Sequence, residues 1–336
     1  MKPQDNILSR DKVKERKMKK IRLALLSGGV SSEREVSLNS GTQVFEALDK
    51  NRYEITRYDP KTDLPKLVMD APTLDAALII LHGPFGEDGT VQGLLDLLDI
   101  PYQGAGVLGS AAAMNKLVAK RLYEGAKVPT PPYLSFYIKD EINIPEVIKS
   151  LGLPLVVKPA CAGSSVGMTI VKGQQDFEPA IKLGFEHDDT LIFEAYVKGV
   201  ELTCGVLGND TLEALPVIEI IPGDSHEFFN YTAKYVAGET EEICPARIDE
   251  STRLKVQELA ILAHKALFLK GYSRTDMILR NGELSVLETN TIPGMTATSL
   301  FPQSAQVGGY SFSALLDKLI QLAIEENKRT NLRRAR

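Results

Sequence analysis

The 336-residue chain sets 39 Lys and Arg against 44 Asp and Glu, a net charge of −5, with 43% hydrophobic and 25% charged residues. That balance describes globular material with room for two or three domains, and it argues against a protein that coats phosphate backbones, which needs a basic face. Cys161, Cys204 and Cys244 are scattered without C-x-x-C spacing, and no apolar run approaches the roughly 18 residues of a membrane span, so a reduced, cytoplasmic, membrane-free setting is expected.

Residues 1–20, rich in Lys and Arg, read as a disordered basic leader. Ile21 to Leu26 then reads as a buried strand, Val36 to Leu48 as a helix, Tyr53 to Tyr58 and Asp75 to Leu81 as strands, and Thr90 to Leu98 as a helix. This order favours a parallel sheet and an α/β class. A helix from Lys116 to Tyr123 and a proline-rich linker at Val128 to Pro132 open a second block, in which two short strands flank a glycine loop. The last block holds strands near Glu201 to Leu207 and Val217 to Ile221, a long polar loop from Pro222 to Pro245, a helix from Ser251 to Leu269, and a hairpin. Its character is α+β.

The hairpin joins Arg274–Leu279 to Leu284–Thr289 through Arg280-Asn281-Gly282, a strong turn signal. A two-residue Asn-Gly loop pairs residues whose numbers sum to 563 and sends Asp276 and Glu288 to opposite faces. A three-residue loop, with Gly282 as a left-handed bulge, pairs sums of 562 and gathers Arg274, Asp276, Glu288 and Asn290 on one face. Two carboxylates and an amide oxygen beside an arginine suit a cation-bound phosphate. An edge strand with solvated polar alternation fits the same spacing.

Three loops add further candidates. In Lys158-Pro-Ala-Cys-Ala-Gly-Ser-Ser-Val-Gly-Met168, Gly163 and Gly167 permit turns that aim N–H groups at phosphate, with Ser164 and Ser165 as extra donors and Lys158 as a point charge. A plain hairpin loop is equally compatible, since no Walker A spacing is present. In Leu26-Ser-Gly-Gly-Val-Ser-Ser-Glu-Arg-Glu35, the acids either complement a helix start or Glu33 reaches over the strand ends to an amine. His82, in His82-Gly-Pro-Phe-Gly-Glu-Asp-Gly89, is either structural or catalytic.

Together these segments resemble the D-alanine–D-alanine ligases of the ATP-grasp superfamily. Five signatures occur in family order between Ile21 and Ala323: GGVSSEREVSL, HGPFGEDGTVQG, KPACAGSSVGM, the YTAKY loop, and RTDMIL with LETNTIPGMTATSLFP. The resemblance implies an ATP-grasp fold with an N-terminal Rossmann-like substrate domain (21–104), a central domain (105–197) and a C-terminal domain (198–336). It implies a homodimer and a cell-wall role, the synthesis of D-alanyl-D-alanine for peptidoglycan through a D-alanyl phosphate.

Residue roles follow from the same resemblance. Asp276, Glu288 and Asn290 would hold two Mg²⁺ or Mn²⁺ ions; Lys116 and Lys158 would bind ATP phosphates, with Glu201 on the ribose, Glu194 near adenine and Lys234 on the γ-phosphate. Arg274 and the Gly294 N–H would form an oxyanion hole. Glu33 would bind the first D-alanine's ammonium with His82 close by, and Ser299 with the Leu300 N–H would take the second one's carboxylate. Tyr235, Ser164 and Glu33 would close a loop over the site, and the Tyr-Thr-Ala-Lys-Tyr pattern favours the dipeptide over D-lactate or D-serine products. No residue stands out as a general base. Cys161-Ala162 departs from the family's glycine loop. A non-catalytic nucleotide binder on the same scaffold is the alternative of another class.

Overall fold

The computed structural model describes residues 19–163, 166–223 and 240–334. Most of the expected leader, 1–18, lies outside them. Three sheets follow one another along the chain. The first is parallel, in the order β2-β1-β3, from β1 (Ile21–Ser27), β2 (Tyr53–Tyr58) and β3 (Ala76–Ile80). Its helices include α1 (Arg34–Ala47), α2 (Leu64–Asp70) and α3 (Thr90–Leu97). Alternation explains its burial: Leu23, Leu25, Leu78 and Ile80 fill one core, while Ala24, Leu26, Ala77 and Ile79 fill another on the opposite face. A strand covered on both sides must be apolar at every position, and each large side chain so buried contributes about 1.5–3 kcal/mol.

Helices α4 (Val107–Met114) and α5 (Lys116–Gly125) lead to an antiparallel sheet, β4-β7-β5-β6, made of β4 (Tyr133–Tyr137), β5 (Leu155–Pro159), β6 (Thr169–Val171) and β7 (Thr190–Ala195). Helices α6 (Ile144–Leu151) and α7 (Phe177–Phe185) accompany it. The third sheet runs β11-β10-β8-β12-β13, with β9 beside β8; the ranges are β8 (Val200–Gly208), β9 (Glu213–Ala214), β10 (Ile218–Pro222), β11 (Thr240–Ile243), β12 (Gly271–Arg280) and β13 (Glu283–Asn290). Strand β11, antiparallel to β10, corrects the expectation of a loop throughout Pro222–Pro245. Its Glu241 and Glu242 hid it from an apolar-pattern reading. The chain ends with α8 (Glu250–Ala266), α9 (Leu300–Val307) and α10 (Phe312–Arg334).

The cores do not follow chain order. Ala119 and Tyr123 of α5 pack with Leu202, Cys204 and Val206 of β8 and with Val256, Ala260 and Ala263 of α8. Leu315, Leu316 and Leu319 of α10 return to the first sheet and join Leu23 and Leu25. Facing residues on β8 leave the alternate positions, Glu201 and Thr203, for the other side of the sheet, which becomes the floor of a cleft.

Candidate active site

The hairpin β12–β13 organises the site. Arg280 pairs with Glu283, so the turn is the two-residue Asn281-Gly282 loop, with φ of 52° and 82°, as a type I′ turn requires. Of the two loop lengths the sequence allows, the three-residue one, which alone would have gathered the four side chains on one face, is not the one formed. Pairing continues to Met277 opposite Val286, then slips at a bulge, after which Asp276 faces Glu288 and Arg274 faces Asn290. Val286 lies in the core, while Leu287 and Glu288 both line the cleft. The extra residue restores the shared face that the turn alone would have denied.

On that face charges are matched. Arg274 donates to both oxygens of Asp276, at 2.9 and 2.8 Å, and the Thr203 hydroxyl donates to Asp276 Oδ1 at 2.6 Å. Asn290 Nδ2 donates to Asp276 Oδ2 at 3.1 Å, and Lys116 Nζ lies 3.5 Å from Glu288. Among the described residues no three His, Cys, Asp or Glu side chains gather as a metal cluster. A cation here would use two carboxylates and the Asn290 amide oxygen, an all-oxygen set that fits hard Mg²⁺ or Mn²⁺.

A hollow of about 460 Å³ opens beside the ribbon. Glu33, at the start of α1 and 6% exposed, is pinched between loops of two sheets: a β-carbon on Gly83 or on Gly163 would come within 3.0 Å of its Oε2. His82 is equally buried. Burial outweighs the attraction of Glu33 and holds its imidazole below the ordinary value, and its Nε2 has no hydrogen-bond partner among the described residues. Glu87, which sequence reasoning passed over, accepts the Gly83 N–H at 2.7 Å and lines the same hollow as Glu33, His82 and Ile292. Burial and then the Glu33 charge push Glu87 up to about 8. The acid at the end of the H-G-P-F-G-E run was its only sequence signal.

The far wall comes from the loop after β13. Ser299 caps α9; its Oγ accepts the Thr296 N–H at 3.1 Å and lies 2.7 Å from the Thr296 hydroxyl. Leu300 begins the helix, where free N–H groups and the helix dipole favour an anion. Gly294 lies against Ser299: an added β-carbon would come 3.1 Å from the Ser299 oxygen.

Past Lys116 and Glu288 the hollow continues into one of about 130 Å³, lined also by Lys158, Glu201, Asp276 and Leu287. Lys158, Glu201 and Leu287 in turn line a third, of about 500 Å³, that reaches Glu194. The three form one trough running from the Glu33 end to the Glu194 end. Lys158 Nζ lies 2.5 Å from Glu194 Oε2. Burial acts against the Glu194 charge, but the ammoniums of Lys158 and Lys120 outweigh it and hold the carboxyl below its ordinary value. Thus Glu33, His82, Lys116, Lys158, Glu194, Glu201, Arg274, Asp276, Glu288, Asn290, Gly294, Ser299 and Leu300 all border one trough. Ser164, Ser165, Lys234 and Tyr235 lie outside the described residues. Cys161 donates its N–H to Asp188 at 2.7 Å, and burial with the Asp188 charge pushes its thiol up to about 11.

A parallel sheet feeding two antiparallel ones, with a trough of lysines and carboxylates between the latter, defines an ATP-grasp enzyme. Residues 122–321 match the family model "D-ala D-ala ligase C-terminus", and residues 59–105 match "D-ala D-ala ligase N-terminus". The D-alanine–D-alanine ligase of Syntrophobacter fumaroxidans is 58% identical over 307 residues, covering 91% of this chain and 99% of that one. That of Desulfotalea psychrophila is 52% identical over 318 residues, covering 94% and 99%. The solved structure of the Bacillus anthracis D-alanine–D-alanine ligase complexed with ATP superposes with a TM-score of 0.82 at 35% identity, covering 92% of this chain and 99% of that one. The chain belongs to the D-alanine–D-alanine ligase family.

Proposed function

We infer that this chain joins two D-alanines into D-alanyl-D-alanine with conversion of ATP to ADP and phosphate, a step in building peptidoglycan. The observation that supports the reading, together with the family, is the single trough in which Lys158, Glu194 and Glu201 lie towards one end and Glu33 and His82 towards the other, with the Asp276–Glu288 ribbon between them. A carboxylate resists attack by an amine because its carbon is electron-rich and oxide leaves poorly. Transfer of the γ-phosphoryl group makes the first D-alanine an acyl phosphate, and the second amine then displaces phosphate through a tetrahedral intermediate.

The residues suit these steps. Glu33 holds the first ammonium, with neutral His82 beside it. Ser299 and the Leu300 N–H take the second carboxylate, which keeps the attacking amine oriented. Arg274 and the Gly294 N–H stabilise charge on the intermediate's oxygen. Lys116 and Lys158 hold the phosphates, while Glu194 and Glu201 hold base and ribose. Asp276, Glu288 and Asn290 would bind Mg²⁺ or Mn²⁺, whose charge when bound neutralises the phosphoryl oxygens. Lys234, Tyr235, Ser164 and Ser165 would complete the cover that keeps water from the acyl phosphate.

The test measures phosphate release from ATP with and without D-alanine, with D-lactate and D-serine as competing acceptors. Release that is independent of D-alanine would sink the ligase reading. Preferred use of D-lactate or D-serine would move the chain to a sister activity.

A further inference from the structure

Helix α5 sends two ammonium groups into the trough wall one turn apart, as residues four apart on a helix must. Lys116 donates to the Ala162 carbonyl at 2.7 Å and approaches Glu288. Lys120, 1% exposed, has no part in the roles assigned above. It lies 3.3 Å from Glu194 Oε2, the same oxygen that Lys158 approaches to 2.5 Å, donates to the Thr130 hydroxyl at 2.5 Å, and sits 5.0 Å from the centre of the Tyr133 ring. Glu124, on its own helix, is the remaining charged neighbour.

A buried ammonium costs several kcal/mol in desolvation unless its surroundings repay it. A Lys158–Glu194 pair alone would already be neutral and self-satisfied, so the second ammonium needs another explanation. Adding it makes the cluster of two lysines and one carboxylate net positive. It also divides the pull of Glu194 between two partners. Lys158 lines both nucleotide hollows, and Lys120 lines neither. Whatever Lys120 does to a ligand therefore passes through Lys158 and Glu194.

We propose that Lys120 is a positioning residue for nucleotide phosphates: by sharing the Glu194 carboxylate it frees the Lys158 ammonium for the phosphate chain, setting affinity for nucleotide anions but not for the nucleoside. The proposal rests on the nucleotide reading of the cleft. Burial, partly opposed by Glu194, lowers the Lys120 pKa to about 8, so the second charge is present below that pH and lost above it.

The experiment is calorimetric titration of the full chain with ADP and with adenosine, for wild type, Lys120→Met and Lys120→Arg. At pH 7, Lys120→Met is expected to bind ADP roughly tenfold more weakly and adenosine within about twofold of wild type, with Lys120→Arg close to wild type for both. Wild-type ADP affinity is expected to fall as pH rises through about 8, and Lys120→Arg to hold its affinity across that range. Equal losses for ADP and adenosine, unchanged ADP affinity in Lys120→Met, or a flat wild-type pH profile would each overturn the proposal. If Lys120→Met does not fold, the Lys120→Arg comparison and the wild-type profile still decide. Wild type that binds no ADP, or binds it no better than Lys158→Met, would instead refute the nucleotide reading itself.

Discussion

Asp276 and Glu288 stand directly opposite one another across β12 and β13 only because the ladder slips by one residue at Leu287. The Asn281-Gly282 turn, left to itself, pairs Asp276 with Leu287 and turns Glu288 to the far side.

Deleting Leu287 removes the bulge but sets Glu288 directly after Val286, where a regular ladder from the Asn281-Gly282 turn pairs it with Asp276. The acidic face is therefore expected to survive, with D-alanine-dependent phosphate release within about tenfold of wild type and circular dichroism like that of wild type. A fall of about a hundredfold or more would show that the bulge's local geometry, and not the pairing alone, sets the acidic face.

Glu288→Gln keeps the shape of the side chain and removes its charge. A fall in kcat of roughly 10²–10³ is expected, with a melting temperature within a few degrees of wild type, since Lys116 loses only a partner 3.5 Å away in a part-exposed site. Chelation of divalent cations should abolish turnover, and Mg²⁺ or Mn²⁺ should restore it. Calorimetry should show that the variant binds either ion more weakly than wild type.

Gly163→Ala introduces a methyl group 3.0 Å from Glu33 Oε2 without an unfavourable φ. The carboxylate must shift by a few tenths of an ångström. The expected result is a KM for the first D-alanine raised about tenfold, with the KM for ATP changed less than about twofold. Steady-state kinetics with both substrates varied separate the two.

Glu87 gives a pH prediction with a definite sign. Its folded-state pKa, about 8, lies above the ordinary value of 4.5, so the native state holds the proton more tightly than the unfolded chain. Stability from this group is complete below about pH 4.5 and is lost as pH rises towards 8. Glu87→Gln should melt at a temperature that gains on wild type between pH 5 and pH 8; a constant difference would contradict the assignment.

Cys161 is exposed, yet its pKa of about 11 leaves it about a hundredfold less thiolate at neutral pH than an ordinary thiol of pKa 9. Iodoacetamide at pH 7.5 should label it correspondingly slowly, followed by mass spectrometry of the intact chain.

The first sheet was legible because β1 and β3 carry unbroken apolar runs, Leu23–Leu26 and Ala76–Ile80, and β2, though it alternates with Glu54 and Arg57, matches its expected span, Tyr53–Tyr58. The shared face of Asp276 and Glu288 was anticipated through the wrong turn. Asn-Gly marks the loop, but nothing in the residues around Leu287 announces a bulge. Glu87 was missed because an acid in a glycine-rich run carries no period, and its neighbours in the hollow, Arg274, Glu288 and Ile292, lie roughly two hundred residues away in the chain. The packing of α10 on the first sheet was invisible for the same reason: an apolar stripe does not name its partner.

Glu33, His82 and Glu87 all come from the first sheet's loops, whereas the lysines and the acidic ribbon come from the other two. On the proposed reading, the grip on the first amino acid and the machinery that activates it are thus held in separable parts of the chain, meeting where Glu33 is wedged against Gly163. Selection could then remodel the N-terminal loops towards a different first amino acid without rebuilding phosphoryl transfer. Neither half alone would hold a reactive acid beside a nucleotide.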